Sequence, residues 1–177
     1  MTKLQGRWVL LGLCTAGAGA AIAVVLSGAP LPWSAGGRAL PPARARAYEN
    51  VDACLLTGSH GLADPSAAQA WAGIEDASKA TSARASYLAV SGPATKAAAE
   101  PYAGSLLVRG CKVVVASGAA ERAAALAEAG RFGSVRFVVE GPAAGAPSNV
   151  TALVFTPSGL RAGVASAVEA GVRAAGG

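Results

Sequence analysis

Ser59, His60, Asp64 and Ser66 bring two hydroxyls, an imidazole and a carboxylate together in the run Thr57-Gly-Ser-His-Gly-Leu-Ala-Asp-Pro-Ser66. These side-chain types could serve a hydrolase or hold a polar ligand. Adjacent Ser and His on one loop rarely reach triad geometry, and no Gly-x-Ser-x-Gly elbow follows a strand, so no catalytic residue is assigned. His60 is the only histidine and the three cysteines lack zinc spacing, which argues against a metal site. No Walker or dinucleotide glycine fingerprint follows the first strand, so no cofactor is expected. Small-ligand binding remains. Asp64 or Ser66 can cap a helix that begins near Pro65, and free backbone N–H groups there, with Ser59 and His60 beside them, suit a small polar ligand. Trp71 reads as a core residue that packs this helix onto a sheet.

Cys54 and Cys111 form a second constellation. Each begins a strand-like run, and the topology below makes those strands neighbours. Outside the cytoplasm that placement favours a disulfide, worth roughly 4 kcal/mol for a loop of this length; the alternative is two buried thiols.

The elements that must position these residues follow in order. Ala53–Leu56 is a short apolar strand that enters the loop Thr57–Asp64, and a helix follows. Arg84–Ser91 is a second strand. Lys96–Arg109 is helical and contains Pro101, so the helix either starts near that proline or bends there. Cys111–Ser117, with three consecutive valines, reads as a strand buried on both faces. Ala119–Ala129 is an Ala-rich helix, Val135–Glu140 and Val150–Phe155 are two more strands, and Pro157–Ala175 is a closing helix with Leu160, Val164, Val168 and Val172 on one face. This alternation predicts an α/β fold: three layers, αβα, around a five-stranded parallel sheet of order 2-1-3-4-5. That order sets the loops after strands one and three side by side at the switch point, so Ser117 and Gly118 join Ser59, His60, Asp64 and Ser66 as ligand-binding candidates.

The charge is unevenly spread. Lys3, Arg7, Arg38, Arg44 and Arg46 precede Tyr48 without any acid, whereas the rest of the chain is balanced, so the net +5 gives no basic patch for nucleic acid. Trp8–Leu26 is uncharged over 19 residues, roughly 28 Å as a helix, which matches a bilayer core. Lys3 and Arg7 favour a cytoplasmic N-terminus. Residues 1–27 are therefore expected to be a transmembrane signal anchor, with a cleaved signal peptide as the alternative. Residues 28–47, rich in Pro, Gly and Arg, read as a tether. Residues 48–177 form one globular domain outside a single-pass cell-membrane anchor.

Four runs carry a family resemblance: Thr57–Gly73 (TGSHGLADPSAAQAWAG), Tyr102–Gly118 (YAGSLLVRGCKVVVASG), Val135–Glu140, and Asn149–Ala165 (NVTALVFTPSGLRAGVA). In order and spacing they resemble the basic membrane protein (BMP) family of solute-binding proteins, across essentially all of the globular part. The resemblance implies a type 1 periplasmic-binding fold, service to an ABC importer, and a ligand contact at Asp64. Members close two lobes over the ligand, often a nucleoside, whereas this sequence carries the first lobe. The family's Phe-Asn after Asp-x-Ser is Ala67-Ala68 here, with one residue fewer before Trp71. Two functions follow as expectations. The first is a membrane-anchored, non-enzymatic solute-binding-like domain for a small polar ligand, tied to ABC-type transport or sensing and working with a permease, a second lobe or a homodimer partner. The alternative is a degenerate lobe that serves as a non-catalytic protein-interaction module at the cell surface.

Overall fold

The computed structural model describes residues 48–154, 156 and 159–176. The expected anchor at residues 1–27 and tether at 28–47 lie outside them. Among the described residues no helix is long and apolar enough to cross a membrane.

The chain alternates strand and helix: β1 Asp52–Thr57, a short 3-10 turn Gly61–Ala63, α1 Pro65–Thr81, β2 Arg84–Ala89, α2 Lys96–Val108, β3 Val113–Ala116, α3 Ala119–Ala129, β4 Arg136–Glu140, β5 Val150–Leu153 and α4 Leu160–Gly176. All strand pairs are parallel, and the sheet order is β2-β1-β3-β4-β5, as the alternation predicts.

Each sheet face has its own core. On one side Leu55, Val113, Val115 and Val138 meet Ile74 of α1 and Leu160, Val164, Val168 and Val172 of α4. On the other, Leu56, Val114, Phe137 and Val139 meet Ala99, Ala103 and Leu106 of α2 and Ala124, Ala125 and Ala129 of α3. Continuous apolar runs in β1, β3 and β4 follow from burial on both faces. The edge strands β2 and β5 are less buried and alternate less cleanly.

Small residues let the helices approach closely. A Cβ added at Gly73 would stand 2.5 Å from the Arg161 carbonyl oxygen and 2.9 Å from Val164 Cβ, so α1 and α4 touch through their backbones. Beside that contact Arg161 pairs with Asp76 at 2.6 and 2.9 Å. Gly73→Ala must push α4 away, and is expected to lower the unfolding free energy by about 1–3 kcal/mol. A urea melt of the variant checks this.

Several sequence expectations need local correction. Of the two alternatives for Pro101, the helix start is the one that fails: Thr95 Oγ1 accepts from Ala98 N–H as the cap of α2, and Pro101 sits inside the helix. The bond it forgoes would have used the carbonyl of Ala97, an exposed residue that water can serve. Cys111 precedes β3 by two residues rather than starting it. β5 ends at Leu153 and α4 begins at Leu160; Phe155, Pro157 and Ser158 lie outside the described residues. Trp71 packs α1 onto the sheet as expected, partly buried against the core, with its ring edge-on to Tyr87 of the edge strand at 5.5 Å.

Cys54 and Cys111 are joined as a disulfide, with their Cα atoms 6.0 Å apart. Both are at most 3% exposed and belong to the core against α2 and α3.

Candidate functional site

The carboxyl ends of β1 and β3 are adjacent, and their loops leave on opposite sides of the sheet. Between them is a hollow of about 260 Å³, lined by Thr57, Gly58, Ser59, His60, Asp64 and Ser66 from one loop and Ser117, Gly118 and Glu121 from the other, with Ala94 at the rim. The six ligand-binding candidates of the sequence reading are thus brought to one crevice.

Local bonds set the geometry. Thr57, buried at the end of β1, donates from its hydroxyl to the Gly61 carbonyl at 3.3 Å and tightens the loop. Asp64 is the cap of α1. Its Oδ1 accepts from Ser66 N at 2.8 Å, from Ala67 N at 3.2 Å and from Ser66 Oγ at 2.8 Å. The expectation of free N–H groups at this helix start therefore fails at Ser66 and Ala67, because Asp64 has already taken them. The Ser66 hydroxyl holds the Asp64 carboxyl below its ordinary value of 3.8; the Ala67 and Ser66 N–H groups and, least, the His60 charge act the same way against partial desolvation.

A lowered carboxyl pKa stabilises the fold above the ordinary value, and that contribution disappears as pH falls through the folded-state value. Asp64→Ala is accordingly expected to cost about 1 kcal/mol near neutral pH. The difference from wild type should shrink well below pH 3.8. Paired urea melts at the two pH values measure it.

A polar chain continues across the sheet. Ser66 Oγ stands 2.9 Å from Ser117 Oγ, and Ser117 Oγ donates to Glu140 Oε2 at 3.0 Å. Arg122 donates to the Glu140 backbone carbonyl at 2.9 Å and fixes the end of β4. Ser59 and His60 are exposed at the mouth, whereas Ser117 is 2% exposed at the floor.

Glu121 and Glu140 were not among the sequence candidates. Glu121 stands in the first turn of an Ala-rich helix, where an acid is ordinarily a solvated dipole partner. Here it is 3% exposed, and its carboxylate lies over Gly58 and Gly118. The signal that could have found it is its place three residues after Gly118 at a switch-point loop. Gly118, at φ 112°, takes a backbone conformation that a side chain resists, and an added Cβ would collide with that carboxylate.

Two larger hollows have other characters. One of about 470 Å³ runs along β5 and α4 between Ala167, Ala170, Gly171 and Ala174; the other, of about 510 Å³, lies beside Trp71 and Glu75. Neither joins two strand-end loops. Among the described residues no group of His, Cys, Asp and Glu could hold a metal ion.

No family profile and no curated protein matches the chain. Among solved structures it is similar to a protein of Peptoclostridium difficile 630 described as a lipoprotein (fragment), with a TM-score of 0.58 at 14% identity, covering 70% of this chain and 98% of that one. That likeness is one of fold. An ABC transporter system solute-binding protein from Conexibacter woesei DSM 14684 is 28% identical, with a TM-score of 0.45, over 58% of this chain and 34% of that one. The chain thus spans about a third of that protein's length.

Proposed function

We propose that residues 48–177 are a non-enzymatic, solute-binding-like lobe that takes a small polar ligand in the crevice between β1 and β3. The observation that carries this reading is the convergence of Asp64, Ser66, Ser117 and Glu121 on one hollow at the switch point of a parallel sheet, where such folds bind ligands. The resemblance of Thr57–Gly73 and Tyr102–Gly118 to the BMP family of ABC-transport solute-binding proteins supports a place in transport or sensing, with a permease or a second lobe as partner.

The disulfide fits an oxidising compartment, and the uncharged run Trp8–Leu26 fits an anchor that would hold the lobe at the outer face of the membrane. A thermal-shift screen of the full-length chain in detergent tests the binding role. Nucleosides, sugars, amino acids and amines at millimolar concentration should include at least one that raises the melting temperature by mass action. A silent screen with a well-folded chain would replace this reading with the interaction module. One observation favours that second reading: among the described residues no Phe, Tyr or Trp lines the crevice, and Ala67, at the first turn of α1, is fully buried.

A further inference from the structure

We infer that the crevice recognises a protonated amine, with Glu121 as its counter-ion. This rests on the crevice being a ligand site and goes further by naming the charge of the ligand.

Glu121 is 97% buried by its 3% exposure, yet its carboxylate has no hydrogen bond or ion pair among the described residues. The carboxylate oxygens keep an edge on the hollow, and a carboxylate so largely withdrawn from water is poorly solvated unless a cation there compensates it. The helical role open to it is to reach back to the backbone N–H of Gly118, and that bond is not made. Its oxygens instead lie over Gly58 and Gly118, which both wall the hollow; a Cβ on Gly58 would stand 3.5 Å from Oε1. The missing side chains of the two glycines make room for the carboxylate itself at the wall of the hollow.

The neighbouring groups point to the same ligand chemistry. The chain Asp64–Ser66–Ser117–Glu140 has three oxygen–oxygen contacts, at 2.8, 2.9 and 3.0 Å, and its two serines supply only two hydroxyl protons. Ser66 gives its proton to Asp64 and Ser117 gives its own to Glu140, and the two hydroxyl oxygens face one another as acceptors. The Ser66 and Ala67 N–H groups are spent on Asp64. Donors do remain in the first turn of α3, but the Glu121 charge sits over them and repels an anion.

The wall is therefore rich in acceptors and carries the acids Asp64 and Glu121, with Glu140 behind Ser117. A group with several N–H donors and a positive charge satisfies it: an ammonium or amidinium. A phosphate or carboxylate does not. At about 260 Å³ the hollow admits a small amine.

The test uses the full-length chain in detergent with three probes: putrescine, ribose and succinate. Putrescine should raise the wild-type melting temperature, with a response that weakens as salt is added, while ribose and succinate leave it unmoved. Glu121→Gln should lose at least about tenfold in putrescine affinity, and Glu121→Asp, which keeps the charge, should recover part of it. The carboxyl carbon resonance of Glu121 in the labelled wild type should shift with putrescine, a readout that needs no variant to fold.

Equal putrescine affinity in Glu121→Gln would overturn the assignment. So would a response to ribose or succinate alone, which would leave the crevice itself standing as a ligand site. Silence from all three probes also overturns the ammonium assignment, and the crevice reading falls with it only if the broader screen is silent too.

Discussion

Removing the Cys54–Cys111 bridge, as Cys54→Ala with Cys111→Ala, is expected to destabilise the domain by about 4 kcal/mol. The bridge closes a loop with a sequence separation of 57, which spans β1, α1, β2 and α2. Without it the unfolded chain regains the freedom of that whole loop, and the folded chain loses two buried sulfurs from the core against α2 and α3. For a domain of this size the melting temperature should fall on the order of 15 °C. The domain depends on the bridge because Ala99, Ala103, Ala124, Ala125 and Ala129 supply much of that core, and each alanine buries little area. Calorimetry of wild type and variant is the check. A fall below about 2 °C would mean that the core, not the cross-link, carries the stability.

Phe137→Ala is the second large loss, expected at about 3–5 kcal/mol. Phe137 is 1% exposed and is the largest fully buried side chain among the described residues, set on β4 against α3. Alanines around it cannot swing in to fill the space, since a methyl group has no rotamer to change. The cavity should therefore persist, and the cost should fall at the upper end of the large-to-small range. Phe137→Leu keeps most of the volume and should cost less than about 1.5 kcal/mol. Urea melts of the two variants separate lost volume from lost aromatic shape: a near-equal cost would show that the ring contributes through shape.

The fold was legible because its pattern is regular. Val113–Val115 announces a doubly covered strand, Leu160, Val164, Val168 and Val172 announce one helix face, and the strand–helix alternation leaves few sheet orders. Boundaries were less so. Pro101 left a helix start or a helix through the proline open, and the helix begins five residues earlier because Thr95 supplies the cap and the carbonyl Pro101 orphans belongs to an exposed residue. Trp71 was legible as the residue that packs α1 onto the sheet, and only its place beside Tyr87 of the edge strand was not.

Half of the candidate site could be read from the loop Thr57–Ser66, since Asp-Pro-Ser is a local capping signal. Glu121 and Glu140 could not. Their importance depends on which face of α3 and β4 meets the crevice, and a lone acid in an Ala-rich helix carries no mark of burial. Asn149 is similar: its side-chain amide donates to the carbonyls of Ala129, Phe132 and Val135 at 2.9–3.1 Å, ties the end of α3 to the sheet, and is visible only once those ends converge.

Amide chemical-shift mapping of the isotope-labelled full-length chain, with putrescine, ribose and succinate each added at millimolar concentration, tests the central claim most directly. A ligand site between β1 and β3 predicts that the perturbed amides are those of Gly58, Ser59, Ser66, Ser117, Gly118 and Glu121. Perturbations confined to the hollow between β5 and α4, at Thr151, Gly163 and Ala167, would contradict it.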